Sequence, residues 1–169
     1  NLKKKQPSTN LDQIKTVEPD EEKGKVANTF VDVQYSGLDK NGNRFVIDSK
    51  YAHFEINQPN IIKMEEVLCI FYFKDQTSMT VRSSHGIYNN VTDDMEFKDQ
   101  VKMTYFESVL FADKASFMNM KNVLLVEGNV KTSSPEGKLQ ADRLDFDLNS
   151  KQLKISMDSN EKVNIKVNY

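Results

Sequence analysis

Apolar and polar residues alternate along this chain from Phe30 onward, and turn-forming residues interrupt the alternation at short intervals. Phe30-Val31-Asp32-Val33-Gln34-Tyr35 switches with period two, the pattern of a strand with one buried face. Asp39-Lys40-Asn41-Gly42-Asn43 follows, and Asn-Gly accepts the positive φ angles of a tight turn. Phe45-Val46-Ile47 then resumes the strand pattern, so residues 30–48 read as a hairpin. Later breaks fall at Lys74-Asp75-Gln76-Thr77, Asp93-Asp94 and Ser133-Ser134-Pro135-Glu136-Gly137. No stretch carries a long, capped 3.6-residue period, and closely spaced breaks predict an all-β domain. Residues 1–29 differ: Lys3-Lys4-Lys5-Gln6-Pro7-Ser8-Thr9 and Glu18-Pro19-Asp20-Glu21-Glu22-Lys23 are polar with sparse apolar spacing. They predict a mobile or loosely docked linker ahead of a domain spanning 30–169.

An internal repeat is the strongest signal. Phe54, Tyr88, Phe117 and Phe146 anchor four copies, spaced by 34, 29 and 29 residues. Seven positions before each anchor stand Ile47, Val81, Leu110 and Leu139, all apolar. Five before stand Ser49, Ser83, Ala112 and Ala141, and two before stand Ala52, Gly86, Ala115 and Leu144. Seven after stand Ile61, Met95, Leu124 and Leu153. Nine after stand Lys63, Phe97, Val126 and Ile155, with the lysine as the exception. Each copy reads as a strand–turn–strand unit that cannot bury its own apolar face and must stack on its neighbours. Within a copy, positions −7 and −5 differ in parity from −2 and the anchor. Side chains of a strand alternate strictly. A bulge or bend between −5 and −2 would bring both sets to one face. The predicted architecture is an elongated, open β-jelly-roll of stacked strand–turn–strand repeats.

Composition narrows the function. A chain of 169 residues suits one domain with a tail. A net charge of −2 removes the simplest electrostatic case for nucleic-acid binding, since phosphate affinity rests on a cationic face. The run Val67-Leu68-Cys69-Ile70-Phe71-Tyr72-Phe73 suits a buried strand, whereas a membrane-spanning helix needs about 20 residues. Cys69 is the one cysteine, so neither an intrachain disulfide nor a Cys-based zinc site is available; its ordinary reading is a small core residue. No Gly-rich phosphate loop, G-x-S-x-G or H-E-x-x-H occurs. His53 and His85 have the parity opposite to the anchors and should face water. So should the carboxylate pairs Glu65-Glu66, Asp93-Asp94 and Asp145/Asp147, while general acid–base work needs convergent, partly buried groups. No catalytic residue, cofactor or metal ligand is predicted. The chemistry left is the apolar face: Phe54, Met79, Tyr88, Met95, Phe97, Phe117, Leu124, Val126, Phe146 and Leu153. It makes either a dry core or a trough for an apolar ligand between two sheets.

Several segments carry a family resemblance. They are Tyr35-Ser36-Gly37-Leu38-Asp39-Lys40-Asn41-Gly42-Asn43-Arg44-Phe45, Gly86-Ile87-Tyr88-Asn89-Asn90, Leu125-Val126-Glu127-Gly128-Asn129-Val130 and Leu139-Gln140-Ala141-Asp142. In their order and spacing, over residues 30–167, the sequence resembles the LptC family of lipopolysaccharide export, and more broadly OstA-like domains. The resemblance implies a periplasmic jelly-roll anchored to the inner membrane by an N-terminal helix preceding this chain, with lipopolysaccharide acyl chains sliding along its interior. Lys3-Lys4-Lys5 would then follow that helix on the periplasmic side, against the usual bias of lysine to the cytoplasmic flank. It further implies docking of the inner-membrane ABC transporter at the N-terminal edge and of LptA at the C-terminal edge. Val31, Val33 and Tyr35 are the upstream docking candidates, and Val163, Ile165 and Val167 the downstream ones. The soluble bridge protein LptA itself and a dry-core interaction module are the alternatives.

Overall fold

The computed structural model describes residues 27–148, 150, 152–157 and 164–167. Ten strands follow in chain order: β1 (Ala27–Leu38), β2 (Arg44–Glu55), β3 (Gln58–Tyr72), β4 (Ser78–Asn89), β5 (Asp94–Tyr105), β6 (Ser108–Met118), β7 (Val123–Ser134), β8 (Gly137–Asp147), β9 (Gln152–Ser156) and β10 (Asn164–Val167). Each of β1 to β8 pairs antiparallel with its sequence neighbour, and β9 and β10 both border β8. The sheet therefore begins at β1 and ends at β9 and β10, an open jelly-roll built of stacked hairpins. Among the described residues there is no helix. Most of the predicted linker, residues 1–26, lies outside the described residues, and β1 begins at Ala27.

The sheet folds back on itself along a line through the middle of its strands. On the odd strands this line carries left-handed backbone: Asp32 (φ 53°), Glu66 (φ 52°), Asp99 and Gln100 (φ 61° and 55°), and Gly128 and Asn129 (φ 78° and 48°). Pairing shifts register beside the last two pairs, as β-bulges do. On the even strands the inside of the corner holds small residues. Ser49 and Ala52, Ser83 and Gly86, and Ala112 and Ala115 are buried. Ala141 and Leu144 continue the row on β8. These are positions −5 and −2 of the repeat, and both face inward although they differ in parity. The bend expected between them is present in every copy.

Lys63, the exception at position +9, has a structural cause. The β2–β3 turn carries one extra residue, so Phe54 pairs with Ile62, whereas Tyr88 pairs with Met95 and Phe117 with Leu124. The inward set of β3 moves on by one, to Ile62 and Met64, and Lys63 faces out. The kink of β3 uses one left-handed residue where β5 and β7 use two. That restores register, and Val67, Val101 and Val130 are all buried.

Folding brings the two halves of the strands face to face, with the core between them. Tyr35 on β1 packs against Tyr88 on β4 at 4.8 Å between ring centroids, with the rings tilted by 46°. Phe71 on β3 meets Phe117 on β6 edge-on at 5.9 Å. Neither pair belongs to adjacent strands, so these contacts cross between layers. The outer surface is polar and cross-linked. Lys50 pairs with Asp32 at 2.8 Å, and Lys98 and Lys114 both reach Glu96 at 2.6 and 2.7 Å. His85 pairs with Asp99 at 2.8 Å and His53 with Glu65 at 3.1 Å.

Candidate functional site

A cavity of about 190 Å³ lies between the two halves of the folded sheet. One wall comes from Phe71, Phe73, Met79, Val81 and Met103, the other from Phe97, Ala115, Phe117, Leu124 and Leu148. The walls are apolar because strand alternation sends one face of every strand inward and the polar face out.

A polar rim borders the cavity on one side. Asp39, Asn41 and Asn43 of the β1–β2 turn and Asn122 of the β6–β7 turn complete its lining. The β1–β2 turn is braced from within. Asp39 Oδ1 accepts the backbone N–H groups of Asn41 (2.8 Å) and Asn43 (2.7 Å), and Asp39 Oδ2 accepts Asn43 Nδ2 (2.7 Å). The turn is also tied across the fold. Lys40 N–H donates to Asn119 Oδ1 at 2.8 Å, and Lys40 Nζ donates to the Met120 carbonyl at 3.0 Å. Asn119 is buried; its N–H donates to Asp94 Oδ1 (2.7 Å) and its Nδ2 to the Thr92 carbonyl (3.0 Å). One asparagine thus joins three turns.

Two buried groups titrate abnormally. Burial, then the bond its hydroxyl donates to Asp93 Oδ1 at 2.5 Å, pushes the Tyr88 phenol far above its usual range. Burial, with a smaller push from the Asp48 charge, raises the Cys69 thiol. Both stay protonated at neutral pH, and a protonated buried thiol is a poor nucleophile. Among the described residues no three His, Cys, Asp or Glu side chains converge as a metal site. This arrangement can shelter an apolar chain from water.

The ten interior residues named from the repeat separate into groups. Met79, Phe97, Phe117 and Leu124 line the cavity. Tyr88, Met95 and Val126 are buried in the packed core and are absent from the lining. Phe54 is half-buried with its ring edge-on to Phe30 at 5.3 Å, and Phe146, also half-buried, pairs with Leu124 across β7 and β8. Leu153 pairs with Phe146 from β9. Of the edge residues, Val31, Val33 and Tyr35 lie on the outermost strand β1, with Val33 and Tyr35 packed on the core. Ile165 and Val167 are exposed on β10 at the other end of the sheet. Val163 lies outside the described residues.

The family described as Lipopolysaccharide-assembly, LptC-related matches residues 5–161. The chain belongs to the LptC-related family. It is accordingly a component of lipopolysaccharide transport. No curated protein matches it. For this LptC-related chain, sequence reasoning missed Phe71, Phe73, Val81, Met103 and Leu148 as lining residues. The first two were legible as part of the apolar run 67–73, which was read only as a buried strand. The polar rim was read only as a turn, because nothing local shows that Lys40 meets Asn119.

Proposed function

We propose that the chain is the periplasmic LptC step of the lipopolysaccharide bridge. It takes lipopolysaccharide from the inner-membrane ABC transporter and passes it to LptA, with acyl chains sheltered between the two halves of the sheet. The observation that carries this is the apolar cavity at the interior of a transport-family fold. Each CH₂ exposed to water costs about 0.8 kcal/mol, so one chain of about 12 carbons costs about 10 kcal/mol. An apolar interior that covers the chain would remove most of that without a catalytic group, and the reading is of a carrier rather than an enzyme. The interior residues named from the repeat, Phe54 to Leu153, are the proposed lipid contacts. Among the described residues the edges at β1 and at β9 and β10 lack a further strand, and a neighbour's strand can extend such an edge; β1 is the proposed transporter side and β10 the LptA side. An N-terminal inner-membrane anchor belongs to the same proposal.

Photo-crosslinking in cells that make lipopolysaccharide tests it. A photoreactive phenylalanine replaces Phe73 in the cavity wall or, as an outward control, Lys114, which faces Glu96 on the outer surface. Lipopolysaccharide adducts at position 73 and none at 114 are expected. Adducts at neither, with both proteins folded, would favour the dry-core interaction module.

A further inference from the structure

The cavity is too small for the lipid assigned to it. A cavity of about 150 Å³ holds one benzene, and this one measures about 190 Å³. A single chain of about 12 carbons has twice the carbons of benzene, and lipopolysaccharide carries several chains. The space holds only part of one such chain, so some wall must move for the whole chain to enter.

The β1–β2 turn is the wall built to move. Its bonds from Asp39 to Asn41 and Asn43 are internal, as are Asp39 N–H to the Asn43 carbonyl (2.8 Å) and Gly42 N–H to the Asp39 carbonyl (2.9 Å). These travel with the turn when it swings. What fastens it to the facing β6–β7 turn is Lys40, through Asn119 Oδ1 and the Met120 carbonyl. The receiving side is fixed, since Asn119 is buried and held by Asp94 and Thr92. One flank of the turn is β1, which among the described residues ends the sheet and pairs only with β2. An edge strand opens more easily than a central one, because fewer contacts oppose it.

We infer that the Asp39–Asn43 turn is a lid on the cavity, latched by Lys40 to the Asn119–Met120 turn, and that acyl chains are admitted only when this latch opens. The inference rests on the trough reading above, and it adds a residue-level control of access.

Locking the lid tests it. The full chain carrying Lys40→Cys with Asn119→Cys is compared oxidised and reduced, with fluorescent lipopolysaccharide as the probe. The native Cys69 is buried and takes no part. Uptake that is abolished by oxidation and restored by reduction is the expected result. Equal uptake in both forms, with the disulfide verified, overturns the lid while leaving the trough intact. No uptake in either form, when the unsubstituted chain also takes up none, overturns the trough reading and the lid with it. Lys40→Ala is the second variant, and it decides the matter if the cysteine pair fails to fold or to join. It removes the Nζ bond and leaves the backbone bond. Uptake about five-fold faster is expected, the population shift from one ordinary hydrogen bond. An unchanged or slower rate in a folded Lys40→Ala protein overturns the latch.

Discussion

Tyr88→Phe removes the polar contacts of one buried phenol, chiefly its bond to Asp93. The ring stays, so its contacts with Tyr35 at 4.8 Å and Phe45 at 6.0 Å survive and no void opens. What disappears is the bond the hydroxyl donates to Asp93 Oδ1 at 2.5 Å, together with a lesser polar contact to the Tyr35 hydroxyl. A hydrogen bond to a charged group contributes about 1.5–3 kcal/mol. Asp93 is only half-buried, so water can replace the lost donor; the low end applies, about 1.5 kcal/mol at pH 7. For a chain of this size that is about 3–6 °C in Tm. The pH dependence is the sharper test. Burial first, and then the Asp93 bond, raises the folded pKa of Tyr88 above its unfolded value. The stabilisation is therefore fully present below pH of about 10 and is lost as pH rises beyond it. The loss runs at about 1.4 kcal/mol per pH unit for one proton, so the gap between wild type and variant should close near pH 11. Urea titrations followed by circular dichroism at pH 7, 9, 10 and 11 read both quantities. A gap under about 0.5 kcal/mol at pH 7, or one that stays constant to pH 11, would refute the reasoning.

Three further outcomes are expected from the same measurement. Ser49 Oγ is buried without a hydrogen-bond partner, and its counterparts in later repeats are Ala112 and Ala141; Ser49→Ala should raise stability by about 1 kcal/mol, and a loss would contradict this. Gly128 sits at φ 78°, where a Cβ would press on the Asp113 side chain that accepts Asn129 Nδ2 at 2.7 Å. Gly128→Ala should lower stability by about 2–3 kcal/mol, from left-handed strain and a displaced hydrogen bond. Burial pushes the Glu96 pKa up, but hydrogen bonds and charge from Lys114 and Lys98 outweigh it and hold the carboxyl below its usual range. Its stabilisation is present above the unfolded pKa of about 4.3 and is lost as pH falls through the lower folded value, so Glu96→Gln should cost about 0.5–1 kcal/mol at pH 7 and nothing near pH 3.

The alternation and the repeat were enough, without coordinates, to indicate the all-β architecture. They also pointed to a mid-strand bend, which would let Ser49 and Ala52 face one way although they differ in parity. Those properties are local: each depends on residues a few positions apart and on the two-residue period of a strand. Which inward residues line a cavity is not local. Tyr88 and Phe117 hold the same repeat position, yet Tyr88 is buried in packed core and Phe117 borders space. The difference arises from what the opposite half of the sheet presents to each. Tyr88 meets Tyr35 and Phe45. Phe117 meets the single ring of Phe71. The latch is the extreme case, since Lys40 and Asn119 lie 79 residues apart and meet only because folding brings their two turns together. Periodicity tells a side chain which way to point, and only the folding of the sheet decides what stands opposite.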